Sequence, residues 1–198
     1  PFTLNADTEG IFLNPNKKSK KETLWFYPAT SEPHKNHTLL FKLFSEALKL
    51  QPNIKLIVTL PFDNVFTKEL TQTLNSLSIH HAVKNIGWVS ENQKNYLLQN
   101  CSGVIFLSEF ESLGIPLLEI RELSKSAIVI KSEASEYILG EGSFIYDLNS
   151  EILHNRKSER DRAIRTLCSS PSAKYDYGDK KTTDICDAYF FDLVKAEF

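Results

Sequence analysis

The sequence is poor in several residues that mark particular classes of protein. Its 198 residues include seven glycines, three cysteines and no methionine. So few glycines exclude a long glycine-rich phosphate loop, and neither the Walker nor the dinucleotide-binding glycine pattern occurs. Cys101, Cys168 and Cys186 are odd in number and far apart, which predicts no disulfide framework and a reducing, cytoplasmic compartment. The start at Pro1 without any methionine indicates a piece of a longer protein.

An excess of charge of one sign and long apolar runs are also missing. The 23 basic and 25 acidic residues nearly balance, so no overall field attracts nucleic acid, and we predict no nucleic-acid partner. No apolar run approaches the ~20 residues that cross a bilayer, and no charged-then-apolar leader opens the chain. The basic run KKSKK at 17–21 fits either a solvated linker or contact with anionic lipid headgroups.

The histidines do not predict a metal site. His34 and His37 are three residues apart, and His80 is adjacent to His81. Neither pair has Cys, Asp or Glu ligands at a recognisable spacing. We therefore expect no metal ion.

What the sequence does contain is a regular alternation of short apolar runs with longer amphipathic segments. The runs TLWFYP, IKLIVTL, GVIFLS, AIVI and SFIYD are predicted strands, and a weaker strand is predicted around 82–86. Four of the runs have little polar alternation, as in strands that are covered on both faces. The pattern predicts an α/β fold, a doubly wound, Rossmann-like parallel sheet of about six strands.

The chain divides into three predicted parts. Residues 1–22 are rich in Asn, Lys and Pro, as linkers are, residues 23–150 carry the alternating pattern, and residues 151–198 are predicted to add two C-terminal helices. Within the middle part, Asn36 is placed to cap one helix, and Ser90 opens a capping-box pattern before another. In such sheets, ligands bind at the carboxyl ends of the strands.

The stretch EFESLGIPLLE, residues 109–119, follows one predicted strand. Pro116 suits the first position of a helix, which places Gly114 at the bend. The backbone amides of residues 112–114 then point outward at the positive end of the helix dipole. This corner is suited to a phosphate or an electron-rich sugar oxygen.

Two carboxylates flank this corner. Glu111 lies just before the bend, and Glu119 lies within the first helical turns. Because carboxylates repel phosphate, their natural partners are hydroxyl groups on either side of it, as in a nucleotide sugar. In the alternative interpretation, Glu119 is only a favourable charge near a helix start, and Glu111 is a solvated loop residue.

The segment SEFESLGIPLLEI resembles the motif of two glutamates separated by seven residues in retaining nucleotide-sugar glycosyltransferases of the GT-B type (family 4, or group 1). The large group that assembles bacterial surface polysaccharides is the most similar. LWFYPATSEPHKNHTLLFKLF resembles that group's first strand, loop and helix, NIGWVSENQKNYLLQNCSGVIFLS its central unit, and AIVIKSEASEYILGEGSFIYD its closing unit. The resemblance extends over roughly residues 23–150 and implies the C-terminal, nucleotide-sugar-binding domain of such an enzyme.

The resemblance also implies a role for each residue of the site. Glu119 would bind the ribose hydroxyls of the donor, and Glu111 would contact the donor sugar near its reacting carbon. Lys35 would contact the diphosphate as a charged donor and help the nucleotide to leave, so that Lys35 and Glu111 are the expected catalytic residues. Further donor contacts would come from the amides of Ser112, Leu113 and Gly114, and from the backbone of Gly87, Trp88 and Val89 around the base.

Some alternatives and departures remain. Lys35 also fits a solvated surface lysine, and Trp88 also fits a core or interface position. The family usually has an arginine five or six residues before the lysine, where this chain has Ala29 or Thr30. The Gly and Phe that usually follow the first glutamate are replaced here by Ser112 and Leu113. These departures leave open whether the parent protein is an active enzyme.

The implied function of the parent enzyme is transfer of a sugar, with retention of configuration, to a lipid-linked glycan of a surface polysaccharide such as O-antigen or capsule. A UDP-sugar is the favoured donor, with GDP-mannose next, and no metal or other cofactor is expected because positive charges take its place. The acceptor would be bound by an N-terminal domain that this chain lacks, at the inner face of the cell membrane. Alternatives are a non-catalytic nucleotide-sugar or glycan-binding module, or a sugar-nucleotide epimerase of the same architecture.

Overall fold

The protein is built on a six-stranded parallel sheet, seen in a computed structural model that describes residues 22–110, 114–140, 145–148 and 157–169. The strand order is β3-β2-β1-β4-β5-β6. In sequence, the strands are β1 Thr23–Tyr27, β2 Ile54–Val58, β3 Val83–Asn85, β4 Gly103–Phe106, β5 Ser126–Ile130 and β6 Ile145–Tyr146. The order reverses between β1 and β4, as in doubly wound folds.

Among the described residues, five helices connect successive strands and a sixth follows β6. They are α1 His37–Leu50, α2 Val65–Ser76, α3 Glu91–Asn100, α4 Ile115–Glu122, α5 Glu133–Leu139 and α6 Lys157–Ser169, with a short 3-10 helix at Pro33–Lys35. Because parallel strands need crossover connections, helices cover the sheet, and every residue of β4 and β5 is buried. The predicted fold class, a Rossmann-like α/β sheet of six strands, is confirmed.

The centre of the sheet is packed tightly around one indole ring. Trp25 in β1 is aligned with Leu56 of β2 and with Gly103 of β4, and its side chain is fully buried. A Cβ atom at Gly103 would lie 2.4 Å from the Trp25 ring. Glycine therefore makes room for the indole next to the point where the strand order reverses.

Helix α6 packs against α1 and contacts β1, β5 and β6. The Trp25 indole donates a hydrogen bond to the Leu167 carbonyl (2.9 Å), and the hydroxyls of Tyr146 and Thr166 share another (2.7 Å). Buried Ala163, Ile164 and Leu167 add to the same core. This helix is therefore part of the folded unit formed by the sheet.

Local details differ from the predictions in small ways. Helix α4 begins at Ile115 with Gly114 at the N-cap, so Pro116 is the second helical residue and not the first. Asn36 occupies the N-cap position of α1 as predicted, but its side chain makes no capping hydrogen bond. The capping box of Ser90 on α3 is confirmed.

Several predicted segments lie outside the described residues. They are the linker with its basic run, most of the turn before α4, and the second C-terminal helix. Across the part of the chain that the structure covers, no helix is long and apolar enough to span a bilayer.

Candidate functional site

A cleft of about 560 Å³ opens at the carboxyl ends of β1 and β4, where the strand order reverses. This is the place at which open parallel sheets bind their ligands, because the loops diverge there and helix N-termini face the gap. The lining residues come from the 3-10 helix after β1, from the end of β4 with the loop and the start of α4 that follow it, and from the start of α5 after β5. They are His34, Lys35, Phe106, Ser108, Glu109, Phe110, Leu117, Ser132, Glu133 and Ala134.

Lys35 is the predicted site residue that the structure places in this cleft. It ends the short 3-10 helix, and its carbonyl accepts a hydrogen bond from the Tyr27 hydroxyl at 2.6 Å. Its ammonium donates to Ser108 Oγ at 3.3 Å, and Ser108 in turn donates to the Phe110 carbonyl at 3.1 Å. The backbone and the charged end of Lys35 are thus both tied to the rim of the sheet.

Asn36 explains how the Lys35 loop is held against the loop after β4. Asn36 adopts a left-handed conformation with φ 55°, which asparagine tolerates better than most residues. Its side-chain amide donates to the Leu107 carbonyl and to Glu109 Oε1, both at 3.0 Å. The Glu109 amide completes the connection by donating to the His34 carbonyl at 3.1 Å. Asn36 therefore joins two loops instead of capping its own helix.

Gly114 is the N-cap of α4, the helix whose Leu117 lines the cleft. It has φ 59°, in the left-handed region that favours glycine, and a Cβ atom there would lie 2.7 Å from Ile138 Cδ1. Glu111, Ser112 and Leu113 lie outside the described residues. Their predicted contacts, like that of the Gly114 amide, stay predictions.

Glu119 lies on α4 outside the lining of the cleft, in a polar cluster of its own. Its Oε1 accepts a hydrogen bond from Lys94 Nζ of α3 at 2.6 Å, and Lys94 also pairs with Glu91 at 2.8 Å. The other carboxylate oxygen, Oε2, is buried and has no hydrogen-bond partner among the described residues. A charged oxygen in this state is costly unless a ligand or water satisfies it.

The predicted base-binding segment, Gly87, Trp88 and Val89, joins β3 to α3 and also lies outside the cleft lining. Gly87 has φ 70°, and its amide donates to Asn85 Oδ1 at 3.1 Å. Asn85 also pairs with the backbone of Leu60, accepting from its amide (2.9 Å) and donating to its carbonyl (3.0 Å). This network fixes the backbone of the segment against the loop after β2.

Trp88 is 83% exposed, so the alternative of a core position for this indole is wrong. Phe62, which is also largely exposed, places its ring next to Gly87, where a Cβ atom would lie 2.3 Å from it. Two exposed aromatic side chains, Trp88 within the segment and Phe62 beside Gly87, therefore accompany a stretch of well-fixed backbone. Such a surface suits a flat ring as a ligand.

Charge in the cleft is mixed. The lining of the cleft includes the basic side chain of Lys35 together with the acidic side chains of Glu109 and Glu133. Among the described residues, no three His, Cys, Asp or Glu side chains are grouped as metal ligands would be. The predicted independence of metal stays a prediction.

The sequence did not reveal the roles of four residues that shape the site. Asn36 and Asn85 were hidden because their partners are carbonyls and amides of other loops, which no spacing reveals. Glu109 opens the stretch EFESLGIPLLE, three residues after the last residue of β4, so an acidic residue close behind a buried strand was an available signal. Lys94 is 25 positions from Glu119, and only the packing of α3 beside α4 brings them together.

Comparisons with known proteins agree with the fold. The sequence model of the family "Glycosyl transferases group 1" matches residues 10–162. No curated protein sequence matches significantly. Among solved structures, the C-terminal domain of a group 1 glycosyl transferase, LpcC from Francisella tularensis, superposes with a TM-score of 0.60 at 19% identity, over 89% of this chain and 86% of that one.

Two larger structures are also similar. TarM superposes with a TM-score of 0.58 at 15% sequence identity over 92% of this chain. HepE from Anabaena, solved with UDP and glucose, superposes with a TM-score of 0.57 at 16% sequence identity over 88% of this chain. The chain spans 37% of the length of TarM and 48% of that of HepE. At these identities the superpositions support the fold alone, whereas the family match covers most of the sequence. The chain belongs to the group 1 glycosyl transferases.

Proposed function

We propose that this chain is the donor-binding half of a retaining glycosyltransferase that transfers a sugar from a nucleotide diphosphate donor. The observation that carries the proposal is the position of Lys35. Its ammonium is held at the Ser108 hydroxyl in a cleft at the reversal of the strand order, beside the start of α4. A lysine and a helix N-terminus on one cleft suit a diphosphate.

In this proposal, Lys35 stabilises the charge that develops on the leaving diphosphate. Charge-assisted hydrogen bonds are about twice as strong as neutral ones, and the ties of Lys35 to Tyr27 and Ser108 orient it before the donor binds. The amides of Ser112, Leu113 and Gly114 supply further donors to the diphosphate or sugar. Glu111 orients the sugar near its reacting carbon.

The nucleoside end of the donor would lie toward α3. Backbone groups of residues 87–89 would hold the base, and the unpaired Oε2 of Glu119 would accept from the ribose hydroxyls. UDP is the favoured nucleotide, supported by the similarity to HepE, which was solved with UDP and glucose. GDP is the second candidate.

The acceptor is proposed to be a lipid-linked saccharide in surface polysaccharide synthesis, bound by an N-terminal domain at the cytoplasmic face of the membrane. The basic run at 17–21 would contact anionic lipid there. We propose that no metal or other cofactor takes part, since Lys35 and the helix amides supply the positive charge.

Calorimetric titration with UDP, GDP, UDP-glucose, UDP-GlcNAc and GDP-mannose, with and without EDTA, tests the donor assignment. We expect one nucleotide diphosphate family to bind, and EDTA to leave its affinity unchanged. Absence of binding by all five ligands would contradict the proposal. Affinity that is lost in EDTA and restored by Mg²⁺ or Mn²⁺ would contradict the metal-free part.

A binding module without catalysis is a second candidate. It is favoured by Ala29 and Thr30, which stand where related enzymes usually carry an arginine, and by the mixed charge of the cleft. The two functions differ in turnover: a longer protein with an acceptor domain should transfer sugar if the chain is part of an enzyme.

A further inference from the structure

The ion pair between Lys94 and Glu119 is the best-formed polar contact near the proposed nucleoside end of the site. Lys94 Nζ lies 2.6 Å from Glu119 Oε1, and the two side chains are only 21% and 20% exposed. Burial alone would lower the pKa of Lys94, but hydrogen bonds and charge from Glu119 and Glu91 raise it above its ordinary value. Lys94 is therefore charged at neutral pH.

This contact leaves the two carboxylate oxygens of Glu119 in different environments. Lys94 engages Oε1, while Oε2 is buried and unpaired within the described part of the chain. A carboxylate free to rotate could offer either oxygen to solvent or to neighbouring groups. With Oε1 fixed, Oε2 is held in one direction as a ready acceptor.

The position of Lys94 connects this acceptor to the segment at residues 87–89. Helix α3 starts directly after that segment, and its first turn is fixed by the reciprocal hydrogen bonds of Ser90 and Gln93. Lys94 lies one turn further along α3 and reaches across to α4. The Lys94–Glu119 contact therefore connects the helix that follows the proposed base-binding segment to the helix that carries the Glu119 carboxylate.

We infer that Lys94 is a positioning residue: it fixes the Glu119 side chain so that Oε2 accepts hydrogen bonds from the ribose hydroxyls of the donor nucleotide. The inference rests on the proposed function, because it takes the ligand to be a nucleotide. It predicts that Lys94 contributes to affinity only through the hydroxyls. A ligand without them should be indifferent to Lys94.

The test compares UDP with the diphosphate of 2′,3′-dideoxyuridine by calorimetry, and GDP with its dideoxy analogue if GDP binds better. The native chain should bind the hydroxyl-bearing nucleotide about ten- to a hundred-fold more tightly, the range of a hydrogen bond to a charged acceptor. In Lys94→Met, the ratio of the affinity for the hydroxyl-bearing nucleotide to the affinity for the dideoxy nucleotide should fall to about three or less. The affinity for the dideoxy nucleotide should stay at the native value. Lys94→Arg should restore part of the ratio.

Matched controls separate positioning from general damage. Lys42→Met removes an exposed lysine of α1 and should leave both affinities unchanged. Glu91→Gln removes the outer, 70% exposed partner of Lys94 and should change the ratio less than Lys94→Met. In a Glu119→Gln background, Lys94→Met should have no further effect on the ratio, and Lys94→Gln replaces Lys94→Met if the latter fails to fold.

The outcomes distinguish the two levels of the proposal. Native hydroxyl discrimination in folded Lys94→Met would overturn the role of Lys94 while leaving nucleotide binding intact. A native chain that binds UDP or GDP without preferring the ribose hydroxyls would overturn it as well. If neither nucleotide binds the native chain, both this inference and the proposed function fall.

Discussion

Lys35 is the residue on which donor binding should depend most directly. In the proposed function it is the lysine that meets the diphosphate, so Lys35→Ala should weaken UDP binding by about 1.5 to 3 kcal/mol. Binding of uridine, which lacks the diphosphate, should change much less. Calorimetry on the two ligands measures the difference, and Lys42→Ala on the outer surface of α1 is the control. Equal losses for UDP and uridine would place Lys35 away from the diphosphate.

His37 makes the stability of the protein depend on pH. Its side chain is 2% exposed against the rings of Tyr27 and Phe41, and burial lowers its pKa to about 4 from 6.5. Nearby Glu32 opposes this shift, and Lys35 adds to it. As pH falls below about 6.5, the unfolded chain gains a proton at His37 that the folded protein does not take up until about pH 4.

The folded state is therefore progressively destabilised across that window. This one group should reduce the free energy of unfolding by about 2 kcal/mol between pH 7 and pH 5. Urea unfolding of the native chain and of His37→Phe at both pH values isolates the effect, because other titrating groups are common to the two proteins. The same pH dependence in both would show that His37 is not held neutral by the fold.

Two carboxylates, Glu111 before α4 in the sequence and Glu119 within α4, are proposed to act on different parts of the donor. Glu119→Gln should weaken the binding of UDP by about 1.5 to 3 kcal/mol, since the ribose is part of every nucleotide ligand. Glu111→Gln should leave UDP almost unaffected and reduce affinity for the sugar-bearing donor. Titration of both variants with UDP and with the UDP-sugar separates the roles. Matching losses on both ligands would mean that the spacing of the glutamates is structural.

Strands and helix ends were predictable from the sequence where the residues that determine them are close together in the chain. The runs that became β2, β4 and β5 are apolar because both faces of a parallel strand are covered, and the capping box of α3 is a contact between Ser90 and Gln93, three residues apart. Asn36 shows where prediction from neighbouring residues stops. Its position at the N-cap of α1 was predicted correctly, but its side chain bonds to the loop after β4, which is near only in the folded sheet.

The site was predictable in part for the same reason. Lys35 follows the first strand, so a doubly wound topology alone places it at the reversal of the sheet. The Lys94–Glu119 pair depends on how α3 packs beside α4, and no pattern within either helix encodes it. Positions that recognise a ligand through such contacts need the three-dimensional structure.

The whole molecule should bind a donor without transferring sugar. The cleft lies on a sheet that resembles the C-terminal domain of LpcC, and the proposed acceptor site belongs to a second domain. We expect residues 1–198 to bind a nucleotide diphosphate in calorimetry and to show no transfer in a radiolabelled-donor assay with lipid-linked saccharide. Robust transfer by this chain alone would contradict the two-domain proposal.

The contact between Trp25 and Leu167 has a consequence for synthesis of the chain. These partners are 142 positions apart, so β1 and α1 leave the ribosome long before the helix that covers them. Nascent chains that end before α6 should expose the apolar side of α1 and recruit chaperones, as incompletely covered intermediates do. Ribosome-stalled chains of increasing length should gain protease resistance in a single step once α6 has emerged. Resistance that already appears in chains ending at residue 148 would show that the sheet is stable before α6 is made.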